Sequence, residues 1–182
     1  MRRFPVNTIE SAPEASRPSL HALQGAFGFI PNIAGTMSTS PVLIDSLVGL
    51  FGKVHAGSFS EPEIQILLLT NAVTNACSWA VAFHSALALG QGIAESDVEE
   101  IRAGGLPKDP RHAALSTLAR SLIETRGKLG EPAIEAFLAA GFDKRHLLEV
   151  IAAVAASTIT NYTGSVTLPP LEEPFQPHVW AA

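Results

Sequence analysis

Only one cysteine, Cys77, occurs in 182 residues, which excludes an intrachain disulfide and any zinc cluster built on thiolates. Charge is scarce as well: 16% of residues are charged against 47% hydrophobic, the net charge is −5, and no basic stripe exists. A nucleic-acid phosphate backbone is therefore not an expected partner. Long apolar runs are missing too. The two most apolar stretches, 64–76 and 147–159, are too short to span a bilayer and carry internal polar residues, so no membrane partner is expected. The opening Met1-Arg2-Arg3-Phe4-Pro5 has no apolar run behind it and is not expected to serve as a secretory signal. With its lone thiol, the chain reads as a reduced, cytoplasmic protein. No segment of useful length shows the period-2 alternation of a strand.

What remains is helical punctuation. Residues 1–15 read as an extended arm with two prolines. A short helix follows, with Ser16 as its cap and Pro18 in its first turn. The run Phe27-Gly28-Phe29-Ile30-Pro31-Asn32 reads as a tight aromatic connection. Ser40-Pro41 starts a helix to about His55, with Leu43, Leu47, Leu50, Phe51 and Val54 at helical spacing. Ser60-Glu61-Pro62-Glu63 is a capping-box start, and the helix behind it is apolar nearly all round, hence central. Asn75 is expected to stop that helix and cap its successor, which runs through Cys77 and His84 to about Gly90. Further helices are expected at about 95–103, 110–127, 131–140 and 143–162, and the acidic run at 95–100 reads as a solvated helix start. From Pro169 the prolines forbid a helix, and Phe175, Val179 and Trp180 call for packing on this or a neighbouring subunit. The outcome is one all-α domain over residues 1–182, with a core at about 40–165 and arms at 1–15 and 169–182.

Chemistry concentrates around Cys77 and His84. In the first turn of its helix, Cys77 would meet free amides and a dipole that favour a thiolate, although a lone cysteine is more often a small buried hydrophobe. His84 lies seven residues on, sharing a face but ~10 Å along the axis, outside hydrogen-bond reach. One turn before His84 stands Ala80, which has no chemistry. The other histidines, His21, His55, His112, His146 and His178, form no pair at metal-ligand spacing, and no metal or other cofactor is expected. Trp79 reads as core or as pocket wall, core being preferred.

Asn75-Ala76-Cys77-Ser78-Trp79-Ala80-Val81-Ala82-Phe83-His84-Ser85, behind the Ser-Glu-Pro-Glu start, resembles the carboxymuconolactone decarboxylase and alkylhydroperoxidase D superfamily. Within it the chain is most similar to the peroxidase-related branch. Phe29-Ile30-Pro31-Asn32, Ser40-Pro41, Ile101-Arg102-Ala103-Gly104, Asp109-Pro110-Arg111, Thr160-Asn161-Tyr162 and Leu171-Glu172-Glu173-Pro174-Phe175 carry the likeness along the rest of the chain. The resemblance implies a helical bundle, a homo-oligomer (dimer, trimer or hexamer), and thiol-based peroxide reduction with an external thiol reductant. The family motif is a glutamate twelve residues before Cys-x-x-Cys-x-x-x-His. Cys77 matches the first, resolving cysteine, and His84 the histidine. Ala80 replaces the peroxide-attacking cysteine, and Gln65 replaces the proton-relaying glutamate. Glu63 points ~200° away round the helix, whereas Glu61 shares the face of Gln65 and is the candidate to compensate. Gly164 and Ser165 replace an Asn-His pair common in this branch.

One cysteine cannot close the disulfide that rescues a sulfenic acid, and glutamine cannot accept a proton. Three functions are open: a one-cysteine thiol peroxidase of peroxiredoxin type, a non-redox lyase or isomerase using His84, and a catalytically silent binding or assembly protein. The reading that joins fold and motif is a peroxidase-related protein with an incomplete redox site. The Ile151–Ser157 helix and the two arms are the expected subunit contacts.

Overall fold

The computed structural model describes residues 4–181, so Met1, Arg2, Arg3 and Ala182, with the expectations that touch them, lie outside the described residues. Among the described residues, nine α-helices follow in order: α1 (Arg17–Phe27), α2 (Asn32–Met37), α3 (Pro41–His55), α4 (Glu61–Thr74), α5 (Ser78–Gly90), α6 (Glu95–Arg102), α7 (Pro110–Glu124), α8 (Glu131–Ala139) and α9 (Lys144–Thr167). No strand occurs among the described residues, and no helix among them is long and apolar enough to cross a membrane.

Helix α4 is the axis. Every residue from Glu63 to Ala72 is buried, and the helix packs against α5, α7 and α9. Its start is held as the capping pattern requires. Glu63 accepts from the Ser60 amide at 2.9 Å and from Arg111 Nε at 2.7 Å. Within the bundle, the hydroxyls of Thr70 on α4 and Ser116 on α7 bond at 2.8 Å. The Ser40 hydroxyl caps α3 by accepting from the Leu43 amide at 3.4 Å, as the Ser40-Pro41 pair predicts.

Several local expectations need correction. The aromatic connection leads directly into an unexpected six-residue helix, α2, whose first amide, Asn32 N–H, donates to Glu172 at 2.6 Å. Ser16 does not cap α1; its hydroxyl donates to the Ser38 carbonyl and pins the first arm instead. Asn75 ends α4, donating to the Asn71 carbonyl, but does not cap α5. Ala76, at φ 50°, turns the chain, and Cys77 occupies the cap position. Helix α7 stops at Glu124, ahead of Arg126 and Gly127 at positive φ, and α9 continues five residues past Tyr162. Asp97 is buried rather than solvated, accepting from the Lys108 amide at 3.2 Å.

The prolines do not forbid helix outright: Glu173–His178 forms a short 3-10 helix with Pro174 in its first turn and Pro177 inside it, and the tail packs along its own subunit. Phe175 is buried, Trp180 Nε1 donates to the Arg102 carbonyl at 3.0 Å, and Arg102 donates to the carbonyls of His178 and Val179. Within 151–157, Ala153, Ala156 and Ser157 face the core, so only part of that stretch is available to a neighbour.

Candidate functional site

The α4–α5 hairpin brings the motif together. Gln65 stands one turn into α4 and His84 midway along α5, and the antiparallel packing of these helices sets the two side chains against each other. His84 Nδ1–H donates to Gln65 Oε1 at 3.1 Å. Both are buried, His84 at 5% exposure and Gln65 at 4%. Burial, with His55 nearby, lowers the His84 pKa from 6.5 to about 3, so the imidazole stays neutral. With Nδ1 committed to Gln65, Nε2 is left as a hydrogen-bond acceptor.

Cys77 lies elsewhere. It is 2% exposed and its sulfur sits against α9, where a methyl group on Gly164 would come within 2.6 Å of Sγ. Loss of water raises the thiol pKa and outweighs the Ala80 and Trp79 amides and the Ser165 hydroxyl, which favour the thiolate. The expected helix-start activation is thus present but overridden. No hydrogen bond joins Cys77 to His84 among the described residues, in line with their two-turn separation. Ala80 is fully buried between them. Gly164 and Ser165 have a definite role: the missing side chain admits the sulfur, and the next hydroxyl faces it.

His84 and Gln65 line a cavity of about 560 Å³ between α1, α2, α3, α4, α5 and α9. Its walls are apolar: Leu23 and Phe27 from α1, Leu47, Val48 and Phe51 from α3, Leu68 from α4, Phe83 and Leu87 from α5. Thr160 joins His84 and Gln65 at the buried end, while the more exposed His55, Glu61 and Gln91 lie toward solvent. Neither Cys77 nor Ala80 lines it. Glu61 is the sole carboxylate among the lining residues, which include no lysine or arginine. His55 Nδ1 lies 2.9 Å from Glu61 Oε1, with both side chains partly exposed.

Trp79 belongs at once to the core and to the cavity wall. Buried and stacked on Phe83 with 4.9 Å between ring centroids, it also contributes to the cavity lining. Its Nε1–H donates to Glu172 at 3.1 Å, tying the tail to α5. Glu63 faces away as expected; burial is outweighed by its bonds to the Ser60 amide and Arg111, which hold its carboxyl below the usual range.

The residue the sequence reading passed over is His55. A signal existed: it follows Phe51 by four residues and Leu47 by eight, on the face that walls the cavity. No group of three or more His, Cys, Asp or Glu able to hold a metal ion occurs among the described residues.

The arrangement is that of the alkylhydroperoxidase D-like fold. An uncharacterized peroxidase-related protein from Ralstonia eutropha JMP134, described as an alkylhydroperoxidase AhpD core, superposes with a TM-score of 0.84 at 18% identity, covering 96% of this chain and 94% of that one. A peroxidase-related protein from Silicibacter sp. TM1040 superposes at 0.79 with 15% identity, covering 95% and 92%. The debrominase Bmp8 superposes at 0.76 with 16% identity, covering 93% and 91%, and its cysteine-to-alanine variant in complex with 2,3,4-tribromopyrrole does so at 0.75. No family model and no curated protein matches the chain.

Proposed function

We propose that this chain is a non-redox member of its fold that takes a small neutral ring compound carrying one hydrogen-bond donor, with His84 and Gln65 as the polar anchor. The observation that carries this is the cavity itself. Its volume suits a small organic ligand, its walls are apolar, and its buried end presents an uncharged acceptor, His84 Nε2. An acidic substrate would meet the Glu61 carboxylate and find no lysine or arginine on the walls, so an organic acid is disfavoured. A structural neighbour bound to tribromopyrrole, a ring with an N–H donor, supports the same ligand class.

A one-cysteine peroxidase is the weaker reading, because the thiol lies outside the cavity and burial works against its ionisation. Calorimetric titration with 4-propylphenol and its methyl ether, 4-propylanisole, tests the anchor. The phenol should bind about 2–12-fold tighter, the worth of one neutral hydrogen bond, and His84→Phe should abolish the difference. Equal binding of both compounds, or of neither, contradicts the proposal. Peroxide consumption with a small external thiol should stay at background; turnover lost in Cys77→Ser would favour the peroxidase.

Self-association, which the resemblance implies, is part of the proposal. Leu148, Ile151, Ala155, Tyr162 and Val166 are exposed along one stripe of α9 within about 60°. Light scattering at micromolar concentration should show an oligomer that Ile151→Glu dissociates. A monomer at that concentration would remove this part.

A further inference from the structure

We propose that His55, steered by Glu61, is the general base of the cavity, taking a proton from a neutral ring substrate anchored on His84. The inference rests on reading the cavity as a small-molecule site. Helix α3 ends at His55, and the spacing from Leu47 and Phe51 turns the imidazole toward the same space. Glu61, at the start of α4, accepts from Nδ1–H at 2.9 Å, which leaves Nε2 to receive a proton. A carboxylate on the far nitrogen fixes ring orientation and stabilises the imidazolium once formed.

The charged and titratable groups facing His55 across the cavity are Glu61 from α4 and His84 from α5. They divide the work. His84, neutral and bonded to Gln65, holds the substrate's donor group and takes no proton. In the transfer, a substrate C–H bond breaks, its electron pair stays on the substrate, and the proton bonds to His55 Nε2. Return of that proton to a second substrate atom completes an isomerisation with no oxidant, reductant or further reactant.

The whole chain can be tested with 5-nitrobenzisoxazole, a neutral bicyclic probe that has no hydrogen-bond donor for His84 and so reports on the general base alone. Removal of its ring C–H proton sends the bond pair into a nitrile, the N–O bond breaks, and the pair leaves on a coloured phenolate. Wild-type protein should accelerate this elimination above buffer, with 4-propylphenol as competitive inhibitor. His55→Gln should lose about 100-fold, the usual worth of a general base. Glu61 is a positioning residue, so Glu61→Gln should lower kcat while leaving KM in place. His21→Gln, exposed on α1 and outside the cavity, should match wild type. Both site side chains are partly exposed, and a melting curve on each variant checks that it folds. Elimination that persists in His55→Gln overturns the proposal. So does a wild type that binds 4-propylphenol yet eliminates nothing, and that result leaves the binding reading intact. Failure of 4-propylphenol to bind removes both.

Discussion

At Cys77 the amides of Trp79 and Ala80 pull toward the thiolate, and removal from water pulls harder the other way. A thiol with a raised pKa is ionised at neutral pH even less than a free cysteine. Modification by a disulfide reagent should therefore be slow at pH 7 and accelerate only as the pH climbs past the ordinary thiol range; fast labelling at pH 7 would show an open, activated sulfur. His84 gives the opposite pH dependence. Its folded-state pKa, about 3, lies below the ordinary 6.5, so the unfolded chain binds the extra proton first. The stability it contributes is complete above pH 6.5 and is lost as pH falls toward 3, about 2–3 kcal/mol by pH 4.5. Chemical denaturation at pH 7 and 4.5 should show a shallower loss in His84→Gln than in wild type. Much of this was legible in the sequence: counting put Ala80, not sulfur, one turn before His84, and put Gln65 on the facing helix. The reversal at Cys77 was not legible, because the burial arises from α9, nearly ninety residues away in the chain.

Among the elements, α4 was the most legible, since a helix apolar on all sides has only the core to occupy. Leu67→Ala, at a fully buried position on α4, should cost about 2–5 kcal/mol through lost transfer energy and a cavity, read as a lower denaturation midpoint. An unchanged midpoint would mean α4 is not the axis. Helix α2 was illegible for a physical reason. Six residues are under two turns, too few to display a period, and its first amide is satisfied by Glu172 from the far end of the chain. The end of α9 misled for a related reason. The helix expected to end at about 162 runs on through Gly164, where only a residue without Cβ fits against the Cys77 sulfur, to Thr167.

Across the whole molecule, the two terminal segments close over the bundle rather than hanging from it. The first arm docks through the Asn7 amide on the Gly35 carbonyl at 3.1 Å, a contact that a methyl group at Gly35 would break. The tail is held by Glu172, which accepts from Asn32 and Trp79 at once. Glu172→Ala should release it, seen as faster amide exchange in Glu173–His178 and at the start of α2 while α4 stays protected. Equal protection in both proteins would show that the apolar residues of the tail suffice. The cavity was the least legible feature of all, because its walls come from six helices and no single segment's periodicity encodes a space between them. In the function proposed above, chemistry belongs to this cavity and not to the thiol. A co-crystal structure with 4-propylphenol tests it most directly. The ring is expected among Phe51, Leu68 and Phe83 with its hydroxyl about 2.8 Å from His84 Nε2. A ligand seated at Cys77, or a hydroxyl turned away from His84, would contradict it.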